Sequence, residues 1–402
     1  MIDRNVAECV SCESRIITRT QIGHKDRQEH SFPCPTCGVT ISFAIDLDQD
    51  KGELKYRDPK NVKWVDSEEG AVKILTFSDE IPVPVDMPDI ISPHIATWFR
   101  YEDHDTYRRD ESLRQLFVRQ TFEYAERCCV HFERGNWDLF DKESPSQHGG
   151  PVTIRNRLID LYNFYTAGFS KFTLTPRGRY DRIFQRLTYA KALDRGLVEE
   201  LAKHYLVSGR IVSLWKEIFS VRRSFVSCYN FLQPLLQVRY WKEEHKTIAD
   251  VQLSDKRFNE LRQLYIDCFE TLCRLLVLAM GFEVIIHHLK LEIPTKKGFM
   301  TLDQFEQQPN AGKRDHIAKY PIEDLFLPVL DTDFRNGIGH HAAHYEPEPD
   351  CIVIFDTKDA GTVDRVMGYT EFCDKVLTLF AAFEMSAAYH HDVHILLGGR
   401  FA

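Results

Sequence analysis

Long hydrophobic runs are missing from this 402-residue sequence. The most apolar helical stretch, around 275–282, is flanked by Arg274 and Glu283 and falls far short of the ~20 residues that a membrane-crossing helix needs. A basic start followed by an apolar run is missing too. The chain opens MIDRNVAECV, so neither a secretory leader nor a membrane partner is expected, and the expected location is the cytoplasm. There is no internal repeat and no low-complexity tract. Net charge is modest, with 51 Lys+Arg against 60 Asp+Glu leaving −9, and 43% of residues are hydrophobic. Disorder is thereby excluded as the main state.

What the sequence does have is unevenly placed. Residues 1–50 hold 5 basic and 8 acidic side chains, and residues 51–150 hold 14 and 20. Residues 151–250 hold 17 and 9, a balance of +8, whereas residues 251–402 hold 15 and 23, a balance of −8. A basic block of this kind attracts polyanions if it is exposed, and is otherwise a solvated helix surface.

The pattern of residues implies a mainly α chain with a small β-rich zinc ribbon at its N-terminus, then two helical blocks. Residues 1–90 hold the ribbon, a short β segment with the strand-like runs VTISFAI and AVKILTF, and a linker with Pro82, Pro84, Pro88 and Pro93. No helix crosses such a linker. Residues 91–250 read as a helical domain containing the basic segment 151–250, with breaks near Pro176 and Pro234. Residues 251–402 open with a stripe of Phe258, Leu261, Leu264, Cys268, Leu272, Leu275 and Ala279 at helical spacing. A polar loop over 294–315 and a helical stretch near 322–330 come next, then CIVIF as one short strand. A final helix from about Thr370 carries Phe372, Val376, Leu379, Phe383 and Ala387.

Four of the eleven cysteines form two knuckles: Cys9 and Cys12, then Cys34 and Cys37 after 21 intervening residues. In a reducing compartment such pairs point to metal rather than to disulfides. Zinc takes four thiolates in a tetrahedron, and two cysteines separated by two residues form the tight turn that this needs. The expected cofactor is therefore one structural Zn²⁺ on Cys9, Cys12, Cys34 and Cys37, with a hairpin between the knuckles. Residues 1–45 hold five basic and five acidic side chains, which shows no preference for nucleic acid. Structural or protein-binding use is expected.

A second motif is DFRNGIGHHAAH, in which Arg335, Asn336 and His340 give R-N-x3-H, with His341 and His344 close behind. On these residues, residues 251–397 resemble the HEPN superfamily (higher eukaryotes and prokaryotes nucleotide-binding), helical bundles that often carry an R-[polar]-x3–5-H ribonuclease motif. The resemblance implies an endoribonuclease cutting cellular RNA, tRNA among the candidates. It further implies a toxin-like effector in anti-phage or abortive-infection defence, a homodimer or higher homo-oligomer, and an antitoxin or trigger protein as partner. Arg335 would then stabilise the phosphate, His340 or His341 would handle protons, and Asn336 would orient them.

The chemistry stands beside the resemblance. Histidine serves as base or acid near neutral pH, and arginine forks onto two phosphate oxygens. Neither step needs a metal, and no catalytic metal is expected. Residues five apart on a helix lie about 140° from each other, so Arg335 is expected at or before a helix start, capped by Asp331, Thr332 or Asp333, or else in a site shared by two subunits. Gly337 and Gly339 suggest close approach by another backbone or by substrate. Within the basic block, Arg177, Arg179, Arg182 and Arg186 are candidates for an RNA-backbone track. The alternative is a non-enzymatic interaction protein, in which ribbon and bundle bind partners in a larger defence or regulatory assembly.

Overall fold

The computed structural model describes residues 2–79, 83–84, 88, 90–91, 113–143, 153–173, 177–240, 251–339, 343–356 and 362–401, except 24, 49–50, 115, 254–255 and 347–348. It is mainly helical, with small sheets. Two compact units, each drawn from three segments, make up the chain. Met1–Tyr107, Ser227–Gln263 and Asn336–Val376 form the first, and Arg108–Val226, Leu264–Arg335 and Leu377–Ala402 form the second.

The first unit begins with β1 (Ile2–Cys9), β2 (Arg15–Gln21), β3 (Arg27–Pro33), β4 (Thr40–Asp48), β5 (Glu53–Lys60), β6 (Val62–Val65) and β7 (Ala71–Phe77). They form a four-stranded sheet in the order β6-β1-β2-β7 and a three-stranded sheet in the order β3-β4-β5. Strand alternation sends Ile41, Phe43 and Ile45 of β4 inward, where they join Ile16, Phe32, Val62 and Phe77 in one core. The 21-residue insert, expected to form a hairpin of its own, instead divides. β2 pairs with β1 and β3 pairs with β4. Each knuckle occupies the turn of its own hairpin, so the strand leaving a knuckle folds back on the strand that entered it.

Of the proline-rich linker, Val83–Pro84 (β8) pairs with Val251–Gln252 (β9), while Pro82 and Pro93 lie outside the described residues. In the second unit β10 (Glu292–Thr295) and β11 (Gly298–Thr301) form a hairpin. In the first, β12 (Ala343–Glu346), β13 (Cys351–Phe355) and β14 (Val363–Gly368) form an antiparallel sheet with β13 central.

The long helices follow the apolar stripes. In Phe258–His288, Leu261, Leu264, Cys268, Leu272, Leu275 and Ala279 are all buried, and so are Leu276, Val277 and Leu278. That helix is apolar all round near 275–282 because it is buried all round. Tyr369–Leu396 likewise buries Phe372, Val376, Leu379, Phe383 and Ala387. Three local expectations fail. The stretch 294–315 is no loop, since it holds the β10–β11 hairpin and two helices, Leu302–Glu306 and Asn310–Ile317, the first started by a capping box of Thr301 and Gln304. The helix near 322–330 is only Glu323–Phe326. Pro234 causes no break either, although a proline inside a helix costs about 3 kcal/mol. The Arg210–Tyr240 helix continues through it, with Leu232, Leu235 and Leu236 fully buried around it.

The core of the second unit is aromatic and partly ionic. Phe225 and Phe380 stack with centroids 3.7 Å apart, and fully buried Arg222 forks onto Glu384 with two bonds of 2.8 Å. Three histidines of the last helix lie there. His394 Nδ1 is 2.8 Å from the Tyr162 hydroxyl, His390 Nδ1 is 3.2 Å from the Tyr205 hydroxyl, and His391 stacks on Tyr162 at 3.8 Å. Burial pushes all three imidazoles down, His394 to about 4. Nearby Arg222 adds to the shift at His390 and His391. They fold neutral, so their stabilisation is complete above the unfolded value of about 6.5 and is lost as pH falls toward 4. Urea midpoints measured at stepped pH should drop across that window, and His394→Gln should flatten the slope.

Candidate functional site

Two sites follow from the sequence motifs, and the first is built from a repeated turn. In the first knuckle the Cys9 amide donates to the Ser14 carbonyl and the Glu13 amide to the Cys9 carbonyl, both at 2.9 Å. In the second the Cys34 amide donates to the Val39 carbonyl at 2.8 Å, and the Gly38 amide to the Cys34 carbonyl at 2.9 Å. The fourth residue after each leading cysteine is left-handed, Glu13 at φ 59° and Gly38 at φ 73°. Glycine adopts that conformation at little cost. Both turns therefore present their thiols alike.

The four sulfurs lie within 4.8 Å of one another, with Cys9 to Cys37 at 3.8 Å and Cys12 to Cys34 at 3.6 Å. Zinc–sulfur bonds of ~2.3 Å in a tetrahedron place sulfurs ~3.8 Å apart, so spacing and donor set fit one zinc ion. Hydrogen bonding with Ser14 draws the Cys12 thiol down to about 6, while burial pushes Cys34 up to about 12. A divalent cation resolves this mismatch by stabilising all four as thiolates. Cys9 and Cys34 also belong to the apolar core between the two sheets, so the thiol cluster and the core are one structure.

Arg335 and Asn336 of the second motif lie on a short helix, Thr332–Gly339. Asp331 starts it as expected, its carboxylate accepting from the Phe334 amide at 3.0 Å and its carbonyl from the Arg335 amide at 3.0 Å. Arg335 is the fourth residue of that helix, inside it and not at or before its start. Phe334 and Ile338 are buried, and the Phe334 ring meets Tyr265 edge-on at 5.3 Å. Arg335, on the less buried side, pairs with Glu270 of the Phe258–His288 helix, Nη2 to Oε1 2.6 Å, and its side chain is 23% exposed. Asn336 is exposed. Arg262 Nε donates to the Ile338 carbonyl at 2.8 Å and holds the far end of the motif helix. A Cβ on Gly337 would come within 2.4 Å of the Ile354 Cγ2 atom, so the close approach that this glycine permits is by a β13 side chain. His340 and His341 lie outside the described residues.

The candidate RNA track falls on the Arg177–Leu193 helix. The side chains of Arg177, Arg179 and Arg182 lie outside the description, but Arg186 is described and forks onto fully buried Glu283, with His287 beside it. The pattern extends further along the basic block. Lys191 pairs with Asp392, Arg210 with Asp303 and Glu306, Arg222 with Glu384, and Arg239 with Asp374. Each of these carboxylates comes from residues 251–402, the block that carries −8. Much of the opposed charge seen along the sequence is thus matched inside the fold. Glu270 carried no sequence signal, because nothing local marks a partner 65 residues away.

Comparison with protein-family models, with curated proteins and with solved structures finds no match to this chain. The donor geometry predicts about one zinc per chain by elemental analysis, with Cys34→Ser losing the metal and lowering the melting temperature. The motif helix makes a separate prediction. Gly337→Ala should destabilise the protein by about 1–3 kcal/mol through overpacking, and adding Ile354→Ala should recover part of that loss in denaturant titrations.

Proposed function

We propose that this protein is a metal-independent endoribonuclease of the HEPN type, cleaving cellular RNA, with tRNA among the candidates, as a toxin-like effector in anti-phage or abortive-infection defence. The observation that carries this reading is the setting of Arg335 and Asn336 on a capped helix, with Arg335 half-buried and its guanidinium oriented by Glu270. A cation held in place by a carboxylate suits a phosphorane, whose charge develops in the transition state. Asn336, exposed one residue on, would bond to phosphate or orient its neighbours, and His340 or His341 would take or give the proton. Zinc in this reading is structural and takes no part in the reaction. A homodimer in the cytoplasm, restrained by an antitoxin or released by a trigger protein, is the expected form.

One observation favours a second reading. The Glu270 carboxylate already compensates the Arg335 charge, which suits a purely structural pair in a non-enzymatic interaction protein. A single comparison separates the two. Wild type, Arg335→Ala and His340→Ala would be incubated with total RNA in EDTA at neutral pH, with circular dichroism to verify the fold. The expected outcome is cleavage by wild type alone, with each variant reduced by about 10²-fold or more. Absence of cleavage by wild type, with candidate activators included, would sink the enzymatic reading.

A further inference from the structure

Each unit holds an open concave site. The larger, a groove of about 1040 Å³, belongs wholly to the first unit and has the outer face of the β3-β4-β5 sheet as its floor. His344 and Glu346 line it, His344 Nε2 lying 2.5 Å from Glu346 Oε1 with each side chain 44% exposed. The cations on its walls are largely matched: Arg27 is bound to Asp46, Arg257 to Glu29 and Lys256 to Asp350. The other, a pocket of about 770 Å³, belongs wholly to the second unit. Its polar groups are not paired off in the same way.

One wall of this pocket is the Arg177–Leu193 helix. Residues three and four apart share a helix face, so Arg186 and Gln185 lie beside Tyr189. The other wall is the turn 318–321 and the start of the Glu323–Phe326 helix. Its volume falls in the range of small-ligand sites, ~300–1,000 Å³. Arg186 is held from behind. Its Nε and Nη2 fork onto fully buried Glu283, and Nη2 also lies 3.3 Å from His287 Nε2. Among the described residues its Nη1 makes no such bond, and 22% of the side chain is exposed. A guanidinium can keep one edge on a carboxylate and offer the rest to an anionic oxygen. Lys319, on the opposite wall, is exposed, and among the described residues its ammonium meets the His316 imidazole at 3.4 Å and no carboxylate. Tyr189 is 55% exposed on its wall. Tyr320, facing from the other wall, is 7% exposed and fixed against the His287 ring at 5.7 Å. Glu323 adds an exposed carboxylate.

Together these groups narrow the ligand. A bare anion would meet Arg186 and Lys319 but would also face the Glu323 carboxylate. An apolar ligand would leave both cations unanswered. A flat ring that carries N–H donors and is joined to a phosphate suits them all. The ring stacks on tyrosine, its donors reach a carboxylate, and the phosphate takes the two cations. We infer that this pocket holds one unpaired nucleotide of a single-stranded RNA, with Tyr189 as the platform for the base and Arg186 and Lys319 as the phosphate contacts. Glu283 is then a positioning residue, acting through Arg186. The choice of RNA over a free nucleotide rests on the endoribonuclease reading above, but binding in the pocket requires no cleavage.

Calorimetric titration of the whole protein with uncleavable RNA tests it. The probes are 2′-O-methyl hexamers of A and of C, which have no 2′-hydroxyl to attack and whose bases carry amino groups, together with AMP and ribose 5-phosphate. At least one hexamer should bind more tightly than AMP, and ribose 5-phosphate should bind least. Tyr189→Ala should weaken the hexamer by about 5–100-fold, and Tyr189→Phe should restore it. Lys319→Ala should weaken it as well and make the remaining binding less dependent on salt. Both residues are exposed, so the fold should survive, and circular dichroism verifies that. If neither hexamer nor AMP binds, if Tyr189→Ala binds like wild type, or if ribose 5-phosphate binds as tightly as AMP, the inference is overturned even in a protein that cuts RNA. AMP bound as tightly as the hexamers would overturn the assignment to RNA in favour of a free nucleotide. Binding through Tyr189 by a protein that cuts no RNA would uphold the pocket while the enzymatic reading falls.

Discussion

Four thiols brought to within 4.8 Å of one another constrain much of the first unit. The two knuckles are the turns of two hairpins, and those hairpins belong to different sheets. An ion joining the turns would therefore fix one sheet against the other at a single point. From there the apolar core of Ile16, Phe32, Phe43 and Phe77 closes between them. A module this small buries limited apolar area, and a metal held by the four thiols would supply what the core lacks. The outer face of β3-β4-β5, held in place by that core, is also the floor of the groove lined by His344 and Glu346.

Charge is the second organising element, and here the linear arrangement misleads. A block of +8 followed by one of −8 looks like a surface for a polyanion beside an acidic domain. In the folded chain, Arg186, Lys191, Arg210, Arg222 and Arg239 each meet a carboxylate from the later block. Arg222–Glu384, which is buried on both sides, adds little net stability over an apolar replacement, but breaking it leaves an uncompensated charge at several kcal/mol. These pairs specify which helix lies against which. Arg335 with Glu270 follows the same logic in a half-exposed setting, where the guanidinium is both anchored and within reach of solvent.

The parts that local sequence encodes came through at the level of elements. Apolar residues three and four apart marked the helices Phe258–His288 and Tyr369–Leu396, and β-branched runs marked β4, β7 and β13. Asp331 was legible as a cap because an Asn/Asp/Ser/Thr oxygen ahead of a helix has a defined local partner. Readings failed where distant packing overrode a local signal. Pro234 sits inside a continuous helix because buried leucines hold both sides of it, and 294–315 is ordered although its composition is polar.

The sequence by itself determined the ligand set for a metal ion, the residues of the Arg–His motif, and the periodicity of the long helices. Each depends on spacing along the chain, which backbone geometry converts directly into a turn, a face or a cap. Only the tertiary structure decided that the two knuckles serve two sheets, that Glu270 is the partner of Arg335, and that His344 stands paired and open on a groove while His390, His391 and His394 are sealed inside. Apart from the His344–Glu346 pair, which lies within one strand, these outcomes depend on contacts between residues tens to hundreds of positions apart. A contact of that kind leaves no local mark, because either partner alone is compatible with many others and burial selects the one that satisfies its charge or hydrogen bond.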